Sequence, residues 1–119
     1  MASPMNENNL AMVAERFRIL GDPSRLRLLQ ALSEGESTVA DLTERCATSQ
    51  ANVSKHLSIL LRGGFVARRK EGLHVFYRIA DASVFRLCDL VCGSIQDRLA
   101  RDLARFAPPR ERRQRRARG

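Results

Sequence analysis

Two cysteines, Cys88 and Cys92, have the residue type and the spacing to bind a soft metal ion. Four residues apart on a helix, their thiols lie on one face within joint reach of a soft metal or arsenic(III). A two-fold axis between two chains would bring four thiolates together, and Cys46 could add a further ligand. The alternative is that both cysteines pack as small apolar residues, and both interpretations stay open.

A second set of side chains is suited to contact with nucleic acid. Amides, hydroxyls and an amine occupy one side of a short helical segment whose other side is apolar. Such groups read base edges and phosphates in a DNA major groove. The set consists of Gln50, Asn52, Ser54 and Lys55. Taken alone, an ordinary solvated helix face explains this pattern about as well.

A basic stretch beside this segment favours the nucleic-acid interpretation. Residues 62–78 carry five basic side chains against Glu71, and Arg68, Arg69 and Lys70 lie just before a turn. A basic hairpin next to a polar helix face is typical of a DNA-binding module whose hairpin follows the phosphate backbone.

Four short helices are predicted ahead of this hairpin. The expected N-caps are Asn8 or Asn9, then Asp22, Thr38 and Ser49, because their side-chain oxygens accept hydrogen bonds from free helix N–H groups. Three- and four-residue spacing predicts the buried stripes. These are Leu10, Val13, Phe17 and Leu20; Leu26, Leu29 and Leu32; Val39, Leu42 and Cys46; and Val53, Leu57 and Leu60.

After Gly63-Gly64 the hydrophobic period changes to two. Residues 65–70 and 73–79 are predicted to be the strands of a β-hairpin around a Glu71-Gly72 turn. A last helix is expected from about Ala82 to Phe106, capped by Asp81. The predicted fold is therefore mainly α with a β-hairpin wing, a winged helix-turn-helix of order α-α-α-α-β-β-α.

The last helix is expected to join two copies of the chain. Its apolar stripe is too long for a body of 119 residues to bury alone. We therefore predict a homodimer held mainly by this helix, with help from the first. The expected interface residues are Phe85, Cys88, Cys92, Ile95 and Leu99.

Composition limits the class of protein. The chain has 119 residues, a formal net charge of +8 and three cysteines. This favours one basic domain, here residues 8–106, in a reducing cytoplasmic setting. No apolar run reaches membrane-spanning length and the N-terminus lacks a secretory pattern. With two histidines and no Gly-rich phosphate loop, an enzyme is not expected.

The C-terminal residues 107–119 carry six arginines against Glu111 and are predicted to form a disordered basic tail. Either a phosphate-contacting arm or a simple solvated tail fits this composition. A second function also stays open: a nucleoid-associated or protein-interaction module would use the same fold, with greater weight on the long helix and the tail.

Three segments resemble the ArsR/SmtB family of bacterial transcriptional repressors, over about residues 10–105. They are Leu20-Gly21-Asp22-Pro23-Ser24-Arg25-Leu26-Arg27-Leu28-Leu29, Ser49-Gln50-Ala51-Asn52-Val53-Ser54-Lys55-His56-Leu57, and Arg68-Arg69-Lys70-Glu71-Gly72 leading to Tyr77. The resemblance implies a homodimer that binds a palindromic operator in double-stranded DNA and leaves it when an inducer binds. It assigns Ser49, Gln50, Asn52, Ser54, Lys55 and His56 to the recognition helix, and Arg68, Arg69, Lys70 and His74 to the wing.

Two features of the resemblance need separate treatment. His56 is expected either to contact a phosphate or a base, which the family pattern favours, or to pack beside buried Leu57. The metal-binding sequences best known in the family are missing here: the third helix has no Cys-x-Cys pair, and the last helix has no histidine. Cys88 and Cys92 remain the candidate ligands for a soft metal or arsenic(III), and no other cofactor is expected.

Overall fold

The computed structural model describes residues 6–106. Five helices and three strands occur there: α1 Glu7–Leu20, α2 Pro23–Leu32, β1 Ser37–Thr38, α3 Val39–Arg45, α4 Gln50–Arg62, β2 Val66–Glu71, β3 His74–Ile79 and α5 Ser83–Phe106. The chain forms two compact units, one ending at Ala82 and one beginning at Ser83. The order of the helices and strands confirms the predicted mainly α fold with a β-hairpin. The predicted tail at 107–119 lies outside the described residues.

Of the four helix caps predicted ahead of the hairpin, three are confirmed, and the cap predicted at Asp81 for the last helix stays a prediction. Asp22 Oδ1 accepts from the backbone N–H of Ser24 at 2.8 Å and of Arg25 at 3.2 Å. Thr38 Oγ1 and Ser49 Oγ each accept from an N–H three residues on, at 3.2 and 3.1 Å. The first cap was predicted wrongly. Helix α1 starts earlier than expected, with Asn6 as its cap.

The core of the first unit lies between α2, α3, α4 and the sheet. Its buried side chains include Leu28, Leu29, Leu32, Leu42, Val53, Leu57, Leu60, Phe65, Val66 and Tyr77. Leu26, predicted to be buried, is exposed and Leu28 takes its place. The buried face of α2 is centred between Leu28 and Leu29 and includes Arg25, a polar residue that a hydrophobic pattern leaves out.

Helix α1 does not bury the stripe predicted for it. Leu10 and Phe17 are exposed, and only Ile19 and Leu20 at its end are buried. Arg16 fastens the helix instead. Its guanidinium donates to the Gly63 carbonyl at 3.0 Å and to Asp81 Oδ2 at 2.9 Å, and lies 4.3 Å from the centroid of the Phe65 ring.

The sheet has three strands in the order β1-β3-β2. The short strand β1 was not predicted, because two residues carry no alternation; it pairs antiparallel with β3 at Ser37–Tyr77 and Thr38–Phe76. The hairpin pairs Glu71 with His74, so the turn is Gly72-Leu73, one residue later than expected. Gly72 has φ of 61°, a left-handed conformation that glycine adopts without strain.

The second unit contains α5, which begins at Ser83 rather than Ala82 and has 24 residues. Val84 is the only residue of this helix that is buried in the chain. Among residues 6–106, no helix combines the length and the apolar character needed to cross a bilayer.

Candidate nucleic-acid interface

Helix α4 holds the predicted polar face out to solvent. Val53, Leu57 and Leu60 are buried on one side, as predicted, and they fix the helix against the body. On the other side the side chains are exposed. They are Gln50, Ala51, Ser54, Lys55 and Ser58. The predicted orientation of Gln50, Ser54 and Lys55 is therefore confirmed, and their contact with DNA stays a prediction.

Two of the predicted polar side chains, Ser49 and Asn52, form hydrogen bonds where α4 begins. Ser49 Oγ accepts the backbone N–H of Asn52, so this hydroxyl caps the helix. The Asn52 amide donates to Thr48 Oγ1 at 3.0 Å and is only half-exposed. Asn52 was predicted to point away from the body. The structure instead places it against the turn between α3 and α4, where its orientation is fixed.

His56 is buried at 6% exposure, which corrects its assignment to the DNA-facing set. Its Nδ1 lies 3.3 Å from a guanidinium nitrogen of Arg25. A guanidinium nitrogen can only donate, so Nδ1 is the acceptor in this contact. His56 therefore packs inside the protein rather than contacting a phosphate.

Arg25 explains why His56 is held inside. The buried guanidinium also donates to the carbonyl oxygens of Ile19 at 2.5 Å and Arg18 at 3.4 Å. A buried cation is tolerated only when its donors are bonded, and the C-terminal carbonyls of α1 accept them. One side chain of α2 thus links the end of α1 to the middle of α4.

The two strands of the wing separate its basic residues onto opposite faces. Alternation and register place Arg68 and Lys70 on the face of Tyr77, and Arg69 on the face of Phe76. Arg68, Lys70 and His74 are exposed. Within residues 6–106, neither Arg68 nor Lys70 has an ion-pair partner. Among the described residues both cations are thus exposed without a carboxylate partner, and their contact with phosphate stays a prediction.

Arg69, predicted to act with them, is already engaged. Its guanidinium contacts Glu36 through Nε at 3.1 and 3.2 Å and Nη2 at 2.6 Å, and Glu71 through Nη1 at 2.6 Å. It also lies 4.6 Å from the centroid of the Phe76 ring. Hydrogen bonding to Arg69 lowers the pKa of the Glu36 carboxyl, and Glu36 and Glu71 raise the pKa of Arg69. The structure therefore shows Arg69 paired with two carboxylates rather than available for a phosphate.

The predicted dimer-interface residues lie along α5 with little cover from their own chain. Phe85 and Cys88 are half-buried, whereas Cys92, Ile95 and Leu99 are exposed. The prediction missed Val91 and Leu103, which flank the same stripe and are also exposed. Ile95 and Leu99 keep 54% and 56% of their surface in contact with solvent.

The cysteine pair offers two thiols per chain. Burial raises the pKa of the Cys88 thiol, and the nearby Cys92 and Asp89 raise it further. Cys88 is therefore mostly a neutral thiol at pH 7, which lowers its reactivity. Residues 6–106 contain no group of three or more His, Cys, Asp or Glu side chains placed to hold a metal. A four-thiol site would thus need a second chain.

Three comparisons agree with this arrangement. Residues 20–69 match a family model described as a helix-turn-helix domain. A probable mercury resistance operon repressor from Streptomyces lividans is 44% identical over 78 residues, covering 66% of this chain and 60% of that protein. A transcriptional repressor SmtB homolog from Synechocystis is 38% identical over 93 residues, covering 78% of this chain and 70% of that protein.

A solved structure is similar over most of the described residues. It is the homodimeric winged helix-turn-helix DNA-binding domain of a possible ArsR-family transcriptional regulator from Mycobacterium bovis. The TM-score is 0.67 at 31% identity, and the match covers 82% of this chain and 92% of that chain.

Proposed function

Because this chain belongs to the ArsR/SmtB family of DNA-binding winged helix-turn-helix transcriptional regulators, we propose that it is a homodimeric repressor with a palindromic operator. In this proposal α4 enters the major groove and the wing follows the phosphate backbone. An inducer then releases the protein from DNA. A DNA partner also implies the cytoplasmic location that the sequence predicts.

One observation carries the DNA-binding part of this proposal. The exposed face of α4 presents Gln50, Ser54 and Lys55 from a helix whose other side is fixed by three buried residues. Direct readout needs hydrogen-bonding side chains on a rigid element that fits the major groove. Arg68 and Lys70, which have no ion-pair partner within residues 6–106, add positive charge on the neighbouring hairpin, which suits contact with phosphates.

The homodimer in the proposal rests on α5. A helix of 24 residues that buries a single side chain leaves its apolar stripe without cover. If this stripe packs against the same stripe of a second copy, both chains bury their apolar side chains in one interface, as in most two-fold symmetric dimers. Two copies also provide two α4 helices, which would fit half-sites about 34–36 Å apart on one side of the duplex.

A footprint on DNA from upstream of the chain's own gene tests the function. The proposal predicts protection of one defined palindrome at protein concentrations that leave random DNA unprotected. The alternative function, a nucleoid-coating module, predicts uniform protection without a preferred sequence. Uniform protection would therefore contradict the proposed operator binding.

For the inducer we propose a soft metal, arsenic(III) or a thiol oxidant acting on Cys88 and Cys92. The probable mercury resistance operon repressor among the relatives supports this chemistry, since mercury is a soft metal and thiolates are soft ligands. The proposed effect is indirect: a ligand that favours a dimer with wrongly spaced α4 helices releases DNA by its differential affinity for the two states. The raised pKa of Cys88 means that metal binding must first displace its proton.

The double variant Cys88→Ser, Cys92→Ser tests this inducer. In an operator-release assay with arsenite, cadmium, zinc and peroxide, the wild type should be released by at least one and the double variant by none. Cys46→Ser tests whether that cysteine adds a further ligand, and a response like that of the wild type would leave Cys88 and Cys92 as the acting pair. Equal responses of the wild type and the double variant would show that both cysteines are packing residues.

A further inference from the structure

Arg69 differs from Arg68 and Lys70 because its guanidinium forms ion pairs with two carboxylates of its own chain. We propose that Arg69 is a positioning residue that braces the wing against the helix-turn-helix body through Glu36, and that it does not contact DNA phosphates. The part of this inference that concerns DNA rests on the proposed function; the part that concerns the wing itself does not.

The contacts of Arg69 join all three strands on one face of the sheet. Arg69 and Glu71 are on β2, Phe76 is on β3, and Glu36 immediately precedes β1, 33 residues away in sequence from Arg69. The guanidinium reaches across Phe76 from one edge of the sheet to the other. Its planar fork holds Glu36 with two nitrogens while a third nitrogen holds Glu71.

The position of this cluster along the hairpin suits a brace. Strand β1 supports β3 only at Phe76 and Tyr77. Beyond these positions the hairpin continues through Lys70 and Leu73, and no strand within residues 6–106 pairs with β3 there. Arg69 pairs with Phe76 at the last supported position. A tie at this point limits how far the free part of the hairpin can swing.

The other end of the tie is itself fixed. Ser37, next to Glu36, donates from its hydroxyl to Asp41 Oδ2 at 2.9 Å and accepts from Arg45 at 3.2 Å. Arg45 also bonds the Ala31 carbonyl at 3.2 Å and Glu34 at 2.5 Å. Glu36 thus belongs to a segment bonded to both α2 and α3, so the brace connects the wing to the body that carries α4.

The occupied donors of Arg69 also argue against a DNA contact. Two carboxylates take up its guanidinium nitrogens, and Arg78 on the same face also acts on Glu36, so this face offers no guanidinium of Arg69 that is free for a phosphate. On the opposite face, Arg68 and Lys70 have no carboxylate partner among the residues that the structure describes. A brace on one face would hold these two cations and the tip at Leu73, which is 98% exposed, in a constant place relative to α4.

A variant that removes the Glu36 carboxylate distinguishes a brace from a phosphate contact, because the two roles predict opposite changes in operator affinity. If Arg69 binds phosphate, Glu36→Gln frees it and removes a negative charge, so operator affinity rises. If Arg69 is a brace, affinity falls. The matched control is Glu44→Gln, which removes an exposed negative charge from α3. Relative to this control, we expect Glu36→Gln to bind roughly threefold or more weakly. Equal or tighter binding would overturn the proposal.

Arg69→Lys sharpens the distinction because it keeps the charge but loses the fork. A phosphate contact would survive this change nearly intact. The brace predicts a loss of affinity similar to that of Glu36→Gln, no further loss in the double variant, and an unchanged dependence of affinity on salt. Affinity equal to that of the wild type, or additive losses, would contradict it.

Hydrogen exchange of the free protein tests the brace without DNA. In both Glu36→Gln and Arg69→Lys, the amides of β2 and β3 near the turn should exchange faster than in the wild type, while those of α4 stay unchanged. Unchanged exchange in the wing would overturn the brace. If the wing loosens but no operator is found, the proposed function fails and the brace stands.

Discussion

Helices α4 and α5 are both amphipathic, but only α4 finds cover for its apolar side within its own chain. In α4, 13 residues long, Val53, His56, Leu57 and Leu60 are buried. In α5, 24 residues long, only Val84 is buried. The periodicity of a sequence shows that a helix has an apolar face, but not which molecule covers it. The difference fits the two tasks proposed for these helices, contact with DNA for α4 and contact with a second copy for α5.

The largest effect should come from breaking the cover of α4. Leu57→Ala removes a fully buried side chain and should lower the free energy of unfolding by about 2–5 kcal/mol. Leu90→Ala, at a position of α5 that is 73% exposed, is the control and should cost less than about 0.5 kcal/mol. Denaturant unfolding at one protein concentration measures both. Equal losses for the two variants would remove the contrast between the helices.

Leu99→Glu tests the opposite side of the comparison. A charge in the stripe of α5 should give monomers in sedimentation and lower operator affinity about 100-fold or more, because the second half-site is no longer tethered. Leu90→Glu is the control. Its position is nine residues from Leu99, about two and a half helical turns, and so lies on the other side of the helix.

This prediction has two clear ways to fail. A wild type that sediments as a monomer at micromolar concentration would remove the dimer from the proposal. A Leu99→Glu variant that remains dimeric would show that a surface other than the α5 stripe joins the chains.

Gln50→Ala probes the exposed face of α4 directly. If Gln50 makes a bidentate base contact, the variant should lose about 1–3 kcal/mol of discrimination at one operator position. Ser58→Ala changes an exposed side chain farther along the same helix and should leave base preference unaltered. Competition with single-base operator variants measures the discrimination. A wing variant that changed base preference while Gln50→Ala did not would reverse the assigned roles.

Arg68→Ala should have a smaller and less selective effect. A lost phosphate contact weakens binding to operator and random DNA alike and reduces the slope of log affinity against log salt by about 1. Arg98→Ala removes the same charge from α5 and controls for net charge. Titrations at several salt concentrations measure the slope, and a slope equal to that of Arg98→Ala would exclude Arg68 from the interface.

The smallest effect concerns the cysteines of α5. In the monomeric Leu99→Glu variant, a thiol-alkylating reagent should modify exposed Cys92 before half-buried Cys88. Burial raises the pKa of Cys88, so a smaller fraction of it is thiolate at neutral pH and its rate should approach that of Cys92 only at higher pH. Mass spectrometry of the labelled peptides measures both rates; faster labelling of Cys88 at pH 7 would contradict this order.

What could be predicted from sequence depends on the range of the interaction. The caps at Asp22, Thr38 and Ser49 were predicted correctly because a cap accepts from an N–H two or three residues away. The first cap was missed because several asparagines in succession can each serve, and Asn6 does so.

Interactions between distant residues were the ones that sequence reasoning missed. Nothing in the pattern connects Arg69 with Glu36, so Arg69 was grouped with its neighbours as a phosphate contact. His56 was misassigned because its partner Arg25 lies 31 residues away. Buried polar pairs of this kind interrupt the hydrophobic period that identifies a core. The apolar stripe of α5 was predicted from its spacing and its length, and its exposure agrees with that prediction, whereas its role in a dimer stays a proposal.

Selection of binding sites from random double-stranded DNA tests the central claim most directly. The wild-type chain should enrich a palindrome whose half-site centres are about 10 base pairs, or a multiple of one helical turn, apart. Gln50→Ala should enrich the same spacing with one position relaxed. Enrichment of no sequence, or of a single half-site without a symmetric partner, would contradict a dimer that reads DNA through two α4 helices.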